Sequence, residues 1–228
     1  LREVRRRALD SDSPYQALLA RYHLAWVAIA RGYEQRAVDR LESALDTCRT
    51  HGYRRLEIQC LNGLGEVARL RNEPANARHW YRQFRRANRQ LNLRQDVATA
   101  DLNLAQVELM AGNFEEAAEF IDRSARRFEE LGGKSGRTHS IRMARLVWAA
   151  GTGRWRDVDG LLDRYRTGWP EDARLITDHP WLLEMAGDYA AEADEPDRAR
   201  RAWQLARDLW HTLDNAEAVE RVDDRLET

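Results

Sequence analysis

A forty-residue beat constrains this chain more than any other feature. Ala37, Ala77, Ala117, Val158 and Ala199 follow one another at intervals of 40, 40, 41 and 41 residues. Five residues before each stands a turn former: Gly32, Asn72, Gly112, Gly153 or Asp194. Twelve residues before each stands Ala25, Gly65, Ala105, Leu146 or Gly187, and four residues after each stands Leu41, Tyr81, Ile121, Leu162 or Trp203. A fixed period of this length marks a stacked array, because one repeat cannot bury its own apolar face.

Each unit reads as two amphipathic helices. In the second, helix A covers roughly Leu56 to Arg71 and helix B roughly Pro74 to Leu91. Leu61, Leu64, Gly65 and Ala68 share one helical face, as do Ala77, Tyr81, Phe84 and Asn88. Pro74 and Pro196 suit a first helical turn, where the missing N–H costs nothing. Gly52 and Gly132-Gly133 are helix-closing signals. No alternation predicts a strand. The expected fold is an all-α, right-handed alpha-alpha superhelix of about five hairpins, with contacts only between neighbouring units. Units are expected at about 16–53, 54–92, 93–133, 134–167 and 172–215, forming an array over 14–215. Residues 1–13 read as the end of a preceding helix or a linker. Residues 216–228 read as a capping helix, with Val219, Val222 and Leu226 covering the last unit. Pro180 sets a late start for the first helix of unit five, after an irregular stretch from Thr167 to Asp178.

The pattern of small residue, alanine and bulky residue in Gly65, Ala77 and Tyr81 resembles the tetratricopeptide repeat. Ala25, Ala37 and Leu41, and Ala105, Ala117 and Ile121, match it too, with Leu24, Leu64 and Leu104 just before the small position. The resemblance covers about residues 16–213. It weakens in unit four, where Arg145 and Leu146 replace the leucine and the small residue. The long period and the run from Leu61 to Ala68 are similar to arrays attached to bacterial serine/threonine kinases and ATPase-type transcriptional regulators. The resemblance implies a protein- or peptide-binding scaffold, not an enzyme, whose inner face on helix A holds the partner. By position that face comprises Tyr22, Trp26 and Ile29; Asn62, Glu66 and Arg69; Leu102, Gln106, Leu109 and Met110; Met143, Val147 and Ala150; and Glu184, Asp188 and Glu192. It starts aromatic, becomes polar, then apolar, and ends acidic. Asn62, Arg69 and Gln106 are expected to bond an extended backbone, and the three acids to suit a basic segment. For Trp26 the alternative is packing on a preceding repeat. The face lacks the Lys/Arg clamp with which some family members hold a terminal carboxylate.

Composition narrows the function further. Formal net charge is −1 with 33% of residues charged, which argues for mixed, solvated charge and makes nucleic acid an unlikely partner. Lys134 is the one lysine, leaving 36 of the 37 basic residues as arginine, a bias expected of a GC-rich bacterial genome. Cys48 and Cys60 give no disulfide framework or metal spacing and fit a reducing cytoplasm. No apolar run is long enough for a bilayer. The chain starts at Leu1 without a visible signal peptide and is expected to be a fragment or sub-array of a longer protein. The six histidines lie at no mutual ligand spacing. Gly63 to Ala68 spells GxGxxA, but inside a helix rather than between strand and helix, so packing accounts for it. Gly133-Lys134-Ser135 lacks the upstream glycine and strand of a phosphate loop and reads as a turn, with Lys134 and Arg137 as at most a weak anion site. Arg78, Arg82, Arg85 and Arg89 form a stripe, expected to pair with Asp39, Glu42 and Asp46 on one side and Glu115, Glu119 and Asp122 on the other. No cofactor is expected. The expected function is therefore a scaffold acting as the sensor or docking region of a larger bacterial signalling protein in the cytoplasm. The alternatives are an intramolecular regulator of an attached kinase or ATPase, and a sensor of a small ligand or peptide signal. Self-association of exposed end faces is also open.

Overall fold

The structure, a computed structural model, describes residues 14–29, 31–132, 137–168 and 178–227. These hold eleven helices: α1 (Pro14–Ile29), α2 (Glu34–His51), α3 (Arg54–Leu70), α4 (Pro74–Gln90), α5 (Arg94–Met110), α6 (Phe114–Glu130), α7 (Arg137–Gly151), α8 (Trp155–Gly168), α9 (Asp178–Glu192), α10 (Pro196–Thr212) and α11 (Ala216–Glu227). Among the described residues there is no strand, and no helix is long and apolar enough to cross a membrane. The expected terminal segment 1–13 and the Gly133-Lys134-Ser135 turn lie outside the described residues. Helix α8 runs to Gly168 and α9 starts at Asp178, so of the stretch expected to be irregular only 169–177 is undescribed. Pro180 sits in the first turn of α9, as its missing N–H requires.

The beat is a backbone device. Gly32, Asn72, Gly112, Gly153 and Asp194 all have positive φ, from 56° to 71°. The residue after each donates its N–H five residues back: Tyr33 to Ala28 (2.8 Å), Glu73 to Ala68 (2.9 Å), Asn113 to Glu108 (2.8 Å), Arg154 to Ala149 (2.8 Å) and Glu195 to Ala190 (2.9 Å). That bond closes a helix in the Schellman manner. The same residue's carbonyl then accepts the first N–H of the next helix, from Ala37, Ala77, Ala117, Val158 or Ala199, at 3.0–3.1 Å. One residue thus ends helix A and begins helix B, and Tyr33, Glu73, Asn113 and Glu195 do so without a side-chain cap. Gly52, Asn92 and Asp214 repeat the device between hairpins, where Tyr53, Leu93 and Asn215 bond back to Cys48, Asn88 and Trp210. Asn92 and Asp214 close their helices without glycine because Asn and Asp also tolerate the left-handed region.

The helices form two compact units, Leu1–Ala100 and Asp101–Thr228. In the first, α1 packs on α2, α2 on α3 and α3 on α4. In the second, α7 packs on α6, α8 and α9, and α9 and α11 both pack on α10. Val222 of α11 is buried, as is Ala218, and Val219 and Leu226 are half-buried.

Each hairpin core turns on the small position. A Cβ on Gly65 would lie 2.5 Å from the Tyr81 ring, and one on Gly187 2.4 Å from the Trp203 ring. Ala25 and Ala105, which do carry a Cβ, pair in the repeat with aliphatic Leu41 and Ile121, and all four are buried. Aromatic bulk therefore goes with glycine and aliphatic bulk with alanine. Gly65→Ala gains about 1 kcal/mol of helix propensity but forces an overlap on a fully buried ring, a kind of overpacking that costs about 1–3 kcal/mol. In urea unfolding, Gly65→Ala is expected to destabilise the wild type yet stabilise a Tyr81→Leu background. The same sign in both backgrounds would refute this account of the small position.

Candidate functional site

All the candidate residues lie on the first helices of hairpins: α1, α3, α5, α7 and α9. Those helices do not present them equally.

In the first unit, Tyr22 meets Trp26 edge-on, with ring centroids 6.3 Å apart. Both rings and Ile29 are half-buried, and burial raises the Tyr22 phenol above its ordinary pKa. Asn62 and Glu66 on α3 are also half-buried. Glu66 accepts a hydrogen bond from the Tyr81 hydroxyl (2.9 Å) and forms an ion pair with Arg69. Arg69 is only 3% exposed. Its guanidinium is committed inside the hairpin, so the expected bond from Arg69 to an incoming backbone does not fit. Cys48 and Cys60 are buried in the same unit, and burial pushes their thiols up to about 11 and about 12. Neither is a thiolate nucleophile at neutral pH.

The second unit departs further from expectation. Leu102, Gln106 and Leu109 on α5, and Met143, Val147 and Ala150 on α7, are buried. Met110 alone of that apolar set is half-buried. Tyr189 on α9 contributes to the closure: its hydroxyl donates to the Leu109 carbonyl (2.6 Å) and its ring meets Phe114 edge-on at 5.3 Å. Unit five therefore touches unit three, which overturns the expectation of contacts only between neighbours. A long aromatic side chain reaches across where an aliphatic one would stop short.

The acidic end is also occupied. Glu184 is buried and accepts from Arg221 Nη2 (2.8 Å), Arg225 Nη1 (2.9 Å) and Trp210 Nε1 (2.6 Å). Asp188 pairs with Arg225 Nε (3.0 Å) and accepts from Trp203 Nε1 (3.0 Å). Burial raises the Asp188 pKa, with Arg225 opposing. The basic segment that these two acids meet is the chain's own α11. A buried carboxylate needs such partners. Glu184 and Asp188 are four apart, as are Arg221 and Arg225, and that matched helical spacing was the signal in the sequence. Glu192 remains exposed.

Glu66 and Asp188 hold the same place in their repeats, one residue after the glycine, and each accepts from the aromatic that fills that glycine's space. Gln106 holds the same place in unit three, where the corresponding residue is Ile121. It is 1% exposed, and its Nε2 has no hydrogen-bond partner among the described residues. A depression of about 540 Å³ in the second unit is lined by Ala118, Ile121, Trp148, Gly160, Leu161 and Arg164 among others, and by none of the candidate residues.

No protein-family model matches the sequence, and no curated protein matches it. Solved structures are similar to it. A putative kinesin light chain with nearly identical TPR-like repeats from Podosopora anserina aligns at TM-score 0.57 and 12% identity, over 89% of this chain and 99% of that one. The fold is a tetratricopeptide-like helical-repeat solenoid. A Rap protein complexed with Competence and Sporulation Factor aligns with the tetratricopeptide-like array at TM-score 0.64 and 16% identity, over 95% of this chain. The array spans 64% of that Rap chain. BtubC (BKLC) from P. vanneervenii aligns at TM-score 0.63 and 18% identity, over 93% of this chain and 87% of that one.

An unpaired buried amide costs about 1–3 kcal/mol. Gln106→Leu, close in volume, is expected to raise stability by about 1 kcal/mol, read as a higher urea midpoint at unchanged slope. A lowered midpoint would show that the amide is satisfied in solution.

Proposed function

We propose that this tetratricopeptide-like array is a scaffold that binds a protein or peptide segment, with its contact residues on the first helices of the hairpins. The observation that carries the reading is the aromatic pair on α1. Tyr22 and Trp26 stand half-buried beside Ile29, whereas the other large aromatics at repeat positions, Tyr81 and Trp203, fill glycine notches in their own hairpins. Aromatic side chains left partly open are the usual anchors of protein interfaces. Asn62 supplies a polar group on α3, and Met110 and Glu192 are the accessible candidates of the second unit, whereas Glu66 and Asp188 are engaged within the array by Tyr81 and Arg69 and by Trp203 and Arg225. Arg69, Leu102, Gln106, Leu109, Met143, Val147 and Glu184 are buried and are left out of the contact set. A Rap protein of the same fold was solved with Competence and Sporulation Factor, which supports a partner-holding role for such an array. The finer reading is a docking or sensor region within a larger bacterial signalling protein.

The test is affinity capture with mass spectrometry, using the wild-type chain and Tyr22→Ala/Trp26→Ala. The variant is expected to lose the partners that the wild type enriches, at unchanged helicity by circular dichroism. Equal enrichment by both proteins would remove α1 from the binding face.

A further inference from the structure

Helix α4 carries Arg78, Arg82, Arg85, Arg86 and Arg89 and no acidic residue in its 17 positions. Arg78 and Arg85 are half-buried and have partners. Arg82, Arg86 and Arg89 are exposed and take part in no ion pair among the described residues. At about 100° per residue these three fall within about 60° of one another, with rises of about 6 Å and then about 4.5 Å along the axis.

The acids expected to neutralise them from α2 do not. Asp39 accepts only from Gln35 on its own helix, and Glu42 and Asp46 form no ion pair among the described residues. What α2 sends towards α4 is another cation: Arg49 donates to Gln83 (3.3 Å). The lack of pairing is particular to this place. In the second unit, where a helix B again follows another, Arg198 and Arg201 of α10 bond Asp159 of α8 at 2.8 and 2.9 Å, and Arg201 bonds Asp163 at 2.9 Å. Arg198 holds the Asp159 carboxyl below its ordinary pKa. Arginines thus pair between the successive B helices α8 and α10, whereas Arg82, Arg86 and Arg89 of α4 form no ion pair among the described residues.

The open arginines border a built depression. It has a volume of about 310 Å³ and is lined by Ala75, Arg78, His79, Arg82, Gln83 and Arg86. Apart from Ala75, every lining side chain can donate a hydrogen bond and none is a carboxylate. His79 Nε2 lies 2.7 Å from Gln83 Nε2, which fixes the wall beside Arg82.

We propose that the exposed face of α4 is a second docking surface, and that it takes an acidic helical segment of a partner protein whose carboxylates recur four and then three residues apart. Two features favour such a segment over nucleic acid. Asp39, Glu42 and Asp46 stand exposed and without an ion pair among the described residues on α2, the helix joined to α4 by Arg49 and Gln83, and they disfavour a polyanion long enough to run past α4. The largest aromatic surfaces of α4 offer little to bases: Tyr81 and Phe84 are buried, and Trp80 is half-buried with the His79 ring edge-on against it at 5.0 Å. A short segment laid along α4 meets three exposed arginines and no carboxylate of that helix, and guanidinium–carboxylate pairs there are charge-assisted.

The test is fluorescence anisotropy with a labelled helical peptide bearing glutamates at i, i+4 and i+7. The controls are the lysine analogue of that peptide and a single-stranded DNA 12-mer. The wild-type chain is expected to bind the glutamate peptide in low salt and to lose affinity at least tenfold as salt rises, as screening requires. Arg82→Glu/Arg86→Glu/Arg89→Glu should abolish that binding and gain the lysine peptide, and the glutamine triple variant should bind neither. Tyr22→Ala/Trp26→Ala should bind the glutamate peptide as the wild type does, which separates this surface from the α1 face. Circular dichroism confirms that each variant is folded. Equal binding of the glutamate peptide by the charge-reversed variant would overturn the proposal. So would tighter binding of the DNA that the same variant loses.

Discussion

Tyr33 donates its N–H to the end of α1 and lends its carbonyl to the start of α2, and Glu73, Asn113, Arg154 and Glu195 do the same in their hairpins. That double use of one residue sets the turn between two helices by backbone bonds alone. The side chain at the joint is then free to be Tyr, Glu, Asn or Arg. What is not free is the residue before it, which must accept a positive φ, and the alanine or valine four residues on, whose N–H bonds back to the joint's carbonyl. The forty-residue beat is the interval at which that pair of requirements, five residues apart, recurs along the chain. It follows from satisfying the orphan groups at helix ends, which no helix leaves unpaired without cost.

The packing follows from that joint. Once the crossing of the two helices is fixed, the small position on the first faces the bulky position on the second, and their volumes trade against one another. Glycine admits Tyr81 or Trp203, and alanine goes with Leu41 or Ile121. The aromatic choice brings a polar tip with it, and the next residue on the first helix, Glu66 or Asp188, takes its hydrogen bond. Residues that family resemblance places on the binding face are in this way drawn into the hairpin. A partner would meet them through whichever atoms remain uncovered, as at Tyr22 and Trp26.

Much of the fold was legible because its determinants are periodic. Helix pairing, the turn residues and the glycine notches repeat at fixed offsets, so one unit explains the others. The site was less legible because its determinants are not periodic. Tyr189 closes on Leu109 and Phe114 from two units away, and nothing in the spacing of Leu102, Leu109, Met143 and Val147 announces that they are buried. Arg221 and Arg225 claim Glu184 and Asp188 from a helix that reads as a mere cap. Charge balance misled in the opposite sense. A net charge of −1 suggested that the α4 arginines would find acids on α2, yet Arg82, Arg86 and Arg89 form no ion pair among the described residues while the α8 and α10 charges pair. Totals say how many charges exist, and only geometry says which ones meet.

Amide hydrogen exchange by NMR on the five joint residues tests the central claim most directly. Tyr33, Glu73, Asn113, Arg154 and Glu195 lie in turns between helices, where an unbonded N–H exchanges at close to the free-chain rate. Protection of all five at the level of the flanking helices is the predicted result. Exchange at free-chain rates in those residues, with the helices still protected, would contradict it.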